Sequence, residues 1–153
     1  MMKAITWLAS MSVGIAALSA SAFATAPEGW LTDVEEAVAL AKKENKSVML
    51  EFTGSDWCPP CIMLKKEVFS KPEFFEKASK NFILVYLDLP RGNPEVRERN
   101  MPLAEEYAIE GYPTIVLLDS EGKEFTRFFG SEYPSVDKFI AHLDKSLEKR
   151  DFD

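Results

Sequence analysis

Four stretches of the chain have the apolar pattern of β-strands. Residues 47–54 and 82–89 are almost continuously apolar, as expected of strands that are covered on both faces of a sheet. Residues 114–119 form a third apolar run, and the turn sequence SEGK leads from it into a fourth stretch at 124–130. This short connection predicts that the last two strands are antiparallel neighbours.

Helical periodicity occurs in the segments between these strands. The predicted helices cover residues 33–44, a short segment that ends near 67, 70–80, 103–111 and a closing segment from 135 onward. Two capping boxes support the starts of the first and third helices, with Thr32 paired to Glu35 and Ser70 paired to Glu73. With the two helices between the first strands counted together, the order α, β, α, β, α, β, β, α indicates one α/β domain.

A polar segment, RGNPEVRERNMP at residues 91–102, contains glycine and two prolines. It predicts a loop longer than the usual connection in an α/β domain, and such loops often carry function. Our hypothesis is that Arg91, Arg97 and Arg99 select an acidic partner near the edge of the functional site. The alternative is that these arginines are only a solvated surface.

The first 24 residues have the features of a secretory signal peptide. A single cation, Lys3, precedes an apolar run from Ala4 to about Leu18, and small residues follow up to Ala24. We expect cleavage after Ala24, which leaves residues 25–153 as a domain located in the periplasm or secreted. The alternative, a retained membrane anchor, is disfavoured because a spanning helix needs roughly 20 apolar residues. The mature form is therefore not expected to be embedded in a membrane.

The chain has a negative net charge at neutral pH. The 25 Asp and Glu outnumber the 18 Lys and Arg, and loss of Lys3 with the signal peptide would change the net charge from −7 to −8. An acidic domain is a poor candidate for binding nucleic acid or anionic lipid. We therefore expect no nucleic-acid partner.

The chain has only two cysteines, Cys58 and Cys61, in the stretch DWCPPCIMLKK. A disulfide between them would close a very small loop, which stabilises a fold much less than a long one. Three uses remain open from the residues alone: thiol-disulfide exchange, half of a metal site, or a pair without function.

Two longer stretches resemble the thioredoxin superfamily. LEFTGSDWCPPC, followed at the expected distance by LAEEYAIEGYPTIVLLDSEGK, is similar to exported thioredoxin-like proteins with a WCxxC site, and the similarity extends from about Val34 to Leu147. The resemblance implies a three-layer α/β/α fold with a central mixed sheet, and a cis peptide bond before Pro113 opposite the cysteines. It also implies protein disulfide substrates, a membrane-bound electron donor and no cofactor beyond the dithiol.

The chemistry expected of the cysteines follows from their place at the start of a helix. The helix N-terminus favours the thiolate of Cys58, which makes it the nucleophile. Cys61 lies one turn further along and is the expected resolving thiol. Pro59 and Pro60 each remove an N–H that could have faced the thiolate, a departure from the CGPC pattern of cytoplasmic thioredoxins. Reduction of substrates is favoured here over oxidation, although the residues alone leave the direction open.

Five further residues are candidates for the same site. Glu51, on the strand before the cysteines, matches the buried carboxylate of thioredoxins and is the expected proton carrier, with a solvent-exposed carboxylate as its alternative. Asp56 competes for that role but is expected to be solvated. Trp57 is expected to cover the rim, and Tyr112 with Pro113 to form the opposite wall that binds an extended substrate.

Two rival functions stay in view, a Cu- or Zn-binding module with a thioredoxin fold and a non-catalytic binding domain. Tetrahedral zinc needs four ligands, and the chain has one histidine, His142. We expect His142 to be a solvated surface residue off the apolar face of the last helix, and we predict no metal ligands. The intact CxxC argues against the non-catalytic alternative.

Overall fold

The computed structural model of the protein describes residues 25–152, so the predicted signal peptide and its cleavage point lie outside the described residues. The elements are, in chain order, α1 (Val34–Glu44), β1 (Ser47–Thr53), α2 (Pro59–Leu64), a π-helical turn (Lys65–Phe69), α3 (Pro72–Ala78), β2 (Phe82–Asp88), α4 (Pro94–Glu106), β3 (Thr114–Leu118), β4 (Glu124–Phe129), a 3-10 turn (Gly130–Glu132) and α5 (Val136–Phe152).

The four strands form one mixed sheet in the order β2-β1-β3-β4. The β1 strand pairs parallel with β2 and antiparallel with β3, and β4 is antiparallel to β3. Every residue of β1, β2 and β3 is buried, because helices cover both faces of the sheet. The predicted α/β fold with a central mixed sheet is confirmed.

Side chains alternate between two cores along β1. Met49 faces the core built with the π-helical turn, α3 and α5, whereas Leu50 and Phe52 face the core built with α1 and α4. Because successive residues of a strand point to opposite faces, Glu51 shares the face of Met49. Its register partner on β2 is Tyr86, which belongs to the same core. A carboxyl group is therefore buried at the edge of a largely apolar core.

The predicted loop at residues 91–102 is wrong, because most of this segment is helix α4. The side chain of Asn93 caps the helix by accepting from the N–H of Val96 at 3.3 Å, and Pro94 occupies the first turn, where its missing N–H costs little. Pro102 lies inside the helix and has no N–H to donate to the carbonyl of Glu98. Both residues are exposed, so water can bond to that carbonyl. The two fully buried residues are Asn100 and Ala104, so the helix lacks the apolar stripe that would have identified it.

Both predicted capping boxes are also wrong. Helix α1 is capped by Asp33, whose carboxylate accepts from the N–H of Glu36 at 2.8 Å, and not by Thr32. Helix α3 begins after Lys71 without a side-chain cap, so Ser70 has no capping role. In both helices the N-cap position lies one residue later than the pattern indicated, at Asp33 and at Lys71.

The last helix places His142 differently from the prediction of a solvated side chain. The imidazole is half-buried and stacks on Tyr133 with ring centroids 3.9 Å apart. It also meets the Phe128 ring edge to face, with centroids 4.3 Å apart. Burial lowers the pKa of His142. The prediction considered only the apolar face of the helix itself. In the structure Phe128 of β4 and Tyr133, the residue after the 3-10 turn, cover His142 from outside the helix.

The capping of α1 gives a test with a matched control. Asp33→Ala removes the side chain that accepts from the first turn, and should lower the free energy of unfolding by about 1 kcal/mol. Thr32→Ala changes the adjacent residue, which makes no cap, and should leave stability unchanged. Urea denaturation of both variants measures the difference, and a larger loss in the Thr32 variant would restore the capping box.

Candidate active site

The loop from β1 to α2 positions the two cysteines. The N–H of Cys58 donates to the carbonyl of Gly54 at 3.0 Å, which closes a tight turn after the strand. A Cβ on Gly54 would fall on the indole ring of Trp57, so only glycine allows that approach. Cys58 is the N-cap of α2, and Cys61 lies in its first turn. The sequence-predicted placement of the pair at a helix N-terminus is therefore what the structure has.

The two cysteines form a disulfide, with their Cα atoms 5.2 Å apart. Cys58 is 4% exposed and Cys61 is 1% exposed, so an incoming disulfide reaches Cys58 first. The N–H of Cys61 points at the sulfur of Cys58, at 3.4 Å from nitrogen to Sγ. An N-cap side chain accepts from the second or third residue of its helix, and here the second is Pro60, which has no N–H. The backbone thus offers the Cys58 sulfur one capping donor.

The opposite wall of the site is the turn before β3. The Tyr112–Pro113 bond is cis, and the carbonyl oxygen of Tyr112 lies 3.7 Å from the sulfur of Cys58. The Pro113 carbonyl accepts from the N–H of Gly130 at 3.0 Å, and the Thr114 hydroxyl donates to the carbonyl of Gly111 at 2.7 Å. These bonds hold the turn against the end of the sheet, directly beside the disulfide.

Trp57 joins the two walls. Its indole N–H donates to the carbonyl of Leu89 at 2.8 Å, and its ring meets the edge of Tyr112 with centroids 5.4 Å apart. The side chain is half-buried. Trp57, Tyr112 and Pro113 are therefore brought together around Cys58.

Glu51 is fully buried on β1, and within the described residues neither carboxylate oxygen has a hydrogen-bond partner. Burial raises its pKa to about 8, an effect that the ammonium of Lys65 opposes and the carboxylate of Asp88 reinforces. A carboxyl with this pKa is largely protonated at neutral pH, so it can exchange a proton under physiological conditions.

A group of polar residues around Glu51 was not predicted from the sequence. Asp88 ends β2 and accepts from the backbone N–H of Ser55 at 3.0 Å and from its hydroxyl. Tyr86 is the register partner of Glu51, and the ammonium of Lys65 lies 5.1 Å from the centre of the Tyr86 ring. Burial raises the pKa of both Asp88 and Tyr86. The available signal was that two adjacent apolar strands both become polar at their ends, in LEFT and VYLD.

Asp56 is exposed, as expected, but it also has a structural partner. Its carboxylate accepts from the backbone N–H groups of Arg91 at 2.9 Å and Gly92 at 2.7 Å, and these bonds hold the pKa of Asp56 below its usual value. The same interaction places the Arg91 guanidinium 4.9 Å from the centre of the Trp57 ring. Arg97 instead donates to the carbonyl of Leu89 at 3.2 Å.

Two features are absent from the range that the structure describes, residues 25–152. No group of three or more His, Cys, Asp or Glu side chains in this range is arranged to hold a metal ion. None of the helices in the same range is both long and apolar enough to cross a membrane.

Comparisons with known proteins match this geometry. The family model of the thioredoxin-like domain fits residues 34–147. The chain is 32% identical over 118 residues to the disulfide bond reductase DsbH of Chlamydia pneumoniae. The aligned region covers 75% of this chain and 70% of DsbH. A solved structure described as a DsbH oxidoreductase has a TM-score of 0.69 and 29% identity, covering 82% of this chain and 87% of the other.

The thioredoxin-related protein DsbJ of the same organism is also 32% identical over 123 residues, but these cover 76% of this chain and only 35% of DsbJ. This chain therefore spans about a third of that relative. The match of the family model covers most of the sequence, including both cysteines and the cis-proline turn. The chain belongs to the thioredoxin-like family and is a thiol-disulfide oxidoreductase.

Proposed function

We propose that this protein is an exported reductase of protein disulfides. Cys58 is the nucleophile, Cys61 the resolving thiol and Glu51 the group that takes the proton from Cys61. Trp57, Tyr112 and Pro113 bind the substrate chain. Residues 1–24 act as a signal peptide that is cleaved after Ala24, and residues 25–153 work in the periplasm or outside the cell.

The reaction begins from the dithiol form. The Cys58 thiolate attacks one sulfur of the substrate disulfide, forms a mixed disulfide and releases the other substrate sulfur as a thiolate. Cys61 then gives its proton to Glu51 and attacks Cys58, which releases the second substrate sulfur. Two electrons have passed from the protein to the substrate, and the released thiolates take up two protons. The Cys58–Cys61 disulfide remains.

The observation that carries the reducing direction is the single capping donor at Cys58. Hydrogen bonds from backbone N–H groups stabilise a thiolate, and a stabilised reduced form makes a dithiol a better oxidant. Here the N–H of Cys61 is 3.4 Å from the Cys58 sulfur, and proline stands where the other donor would be. A weakly stabilised reduced form gives up its electrons more readily. The similarity to DsbH, a disulfide bond reductase, supports the same direction.

The surroundings of Cys58 suit an extended protein chain. The cis turn presents the backbone of Tyr112 beside the sulfur, where a substrate strand can pair with it. Three large apolar side chains are exposed on elements that adjoin the site, at 47% for Ile62 and 55% for Met63 on α2 and at 49% for Phe129, the register partner of Thr114. A bound protein chain could cover part of this apolar surface.

Continuous turnover requires a source of electrons outside the cytoplasm. A membrane-bound dithiol donor would reduce the Cys58–Cys61 disulfide by the reverse exchange and be oxidised to its own disulfide. No further cofactor enters this cycle, since the two electrons are stored in the sulfur atoms of the protein.

The order of attack is tested by replacing one cysteine at a time. Cys61→Ser leaves the nucleophile but removes the thiol that resolves the mixed disulfide, so covalent complexes with protein substrates should accumulate. Cys58→Ser should accumulate none, because Cys61 is 1% exposed and cannot reach a substrate. Non-reducing gel electrophoresis after acid quenching measures the complexes. Trapping by the Cys58 variant alone would reverse the two roles.

The reducing direction is tested by restoring the missing donor. Pro60→Ala supplies an N–H at the second helical position, where it can bond to the Cys58 thiolate. A hydrogen bond to a charged group worth about 1.5 kcal/mol would raise the redox potential by roughly 30 mV. Pro59→Ala is the matched control because, contrary to the expectation from the sequence, Pro59 occupies the first helical position, whose N–H does not reach the N-cap side chain. Equilibration with glutathione measures both potentials, and equal shifts would remove the argument from capping.

The role of Glu51 is tested by Glu51→Gln, which keeps the shape and removes ionisation. The lifetime of the mixed disulfide near neutral pH should lengthen by roughly 100-fold, as expected for loss of a positioned base. In the wild type the resolution rate should rise with pH towards about 8, where Glu51 ionises. The variant should lack that inflection. Stopped-flow measurements that separate the attack of Cys58 from the release by Cys61 check both statements. If the release rate of Glu51→Gln equals that of the wild type from pH 6 to 9, Glu51 has no role in proton transfer.

A stability measurement on the same variant controls for burial of the carboxyl. In the folded protein the pKa of Glu51 is about 8, above the ordinary value of 4.5. Between pH 4.5 and about 8, Glu51 is therefore protonated in the folded state and ionised in the unfolded chain. The free energy of unfolding of the wild type should therefore fall relative to the glutamine variant as the pH rises from 4.5 to about 8. A constant difference would mean that Glu51 is ionised in the fold.

A further inference from the structure

We infer that Arg91 is a specificity-determining residue, which favours protein substrates with an acidic side chain beside the disulfide under attack. This inference rests on the proposed reduction of protein disulfides and names the chemistry of the preferred substrate. It also narrows the sequence-based hypothesis from three arginines to one.

The position of Arg91 links it to the reacting sulfur. Its guanidinium carbon lies 4.9 Å from the centre of the Trp57 ring, within the range of a cation–π interaction. Trp57 is the residue before Cys58, and its ring also meets Tyr112 at the substrate wall. A substrate chain that reaches Cys58 beside Tyr112 therefore passes close to a cation.

The backbone beneath Arg91 is fixed in place. Asp56 accepts from the N–H groups of Arg91 and Gly92, and Trp57 donates to the carbonyl of Leu89. A Cβ on Gly92 would come to 3.0 Å from the carboxylate of Asp56, so glycine permits this close approach. Since the segment is tied to the active-site loop at two points, the guanidinium is held in a narrow region before substrate binds, which reduces the entropy lost on pairing.

The charge of Arg91 is available to a substrate. Within residues 25–152, no carboxylate oxygen lies within 4.0 Å of its guanidinium, whereas Arg127 and Arg150 are paired with acidic neighbours. The nearby carboxylate of Asp56 accepts from backbone N–H groups, and although the charge of Arg91 contributes to lowering the pKa of Asp56, the two side chains form no ion pair within 4.0 Å. A guanidinium presents its donors in a fork that matches a carboxylate, so an acidic side chain is the complementary group.

The other two arginines are placed differently. Arg97 is used within the fold, because its guanidinium donates to the carbonyl of Leu89 at 3.2 Å. Arg99 lies on α4 and borders a cavity together with Asp88 and Asn100, a cavity that neither Trp57 nor Cys58 lines. Arg99 is exposed and carries the same charge. It is therefore the matched control for Arg91.

The test compares substrates that differ only in charge. Disulfide-bonded peptides are prepared in pairs that differ at one position, which is glutamate in one peptide and glutamine in the other. The varied position is the first or second residue before the cysteine, or the first or second residue after it. At low salt, the wild type should reduce the best glutamate peptide about fivefold faster in kcat/KM than its glutamine counterpart, as expected of an exposed ion pair. The ratio of the two values is the readout, which cancels any effect on the chemistry of the cysteines.

Arg91→Gln should bring this ratio to about one, Arg91→Lys should keep part of it, and Arg99→Gln should keep it whole. Added salt at 0.5 M should reduce the wild-type ratio, because it screens exposed charges. A ratio near one for the wild type at every position, or one that Arg91→Gln leaves unchanged, would overturn the inference. Reduction of the glutamine peptide by the wild type reports separately on the proposed function, since its absence would refute reduction itself.

Discussion

The burial of β1 on both faces is the constraint on which the rest of the structure depends. This strand lies between β2 and β3, and all seven of its residues are buried. Because β1 cannot shift without exposing apolar side chains to water, its end is a fixed point from which the chain turns into α2. The same sheet carries the cis-proline turn at the start of β3, so both walls of the site rest on one rigid base.

That constraint also explains the state of Glu51. Alternation along β1 directs its carboxyl into the core that contains Met49 and Tyr86, where water cannot solvate a charge. Burial therefore favours the protonated form. A carboxyl in this position opposes folding once it ionises, and we assign its presence on the central strand to the proposed proton transfer.

Much of the fold and the core of the site could be predicted from the sequence. The strands were recognisable because continuous apolar runs directly reflect burial on two faces, and the cysteines and the YPT tripeptide are local signals. The part of helix α4 before residue 103 was missed because a polar residue, Asn100, takes the buried position there and donates from its side-chain N–H to the carbonyl of Asp88 at 2.7 Å. The predicted helix at 103–111 covers only the end of α4, which stops at Glu106. The link from Asp56 to Arg91 joins residues 35 positions apart through backbone groups, for which the sequence holds no pattern.

Two separate features disfavour negative charge, one at Cys58 and one at Glu51. Proline at the second position of α2 withholds one N–H from the Cys58 thiolate, and burial holds the pKa of Glu51 at about 8. With one capping donor fewer, the reduced form of the dithiol is less stabilised, which favours loss of its two electrons. In the proposed mechanism Glu51 is the group that accepts a proton as those electrons leave.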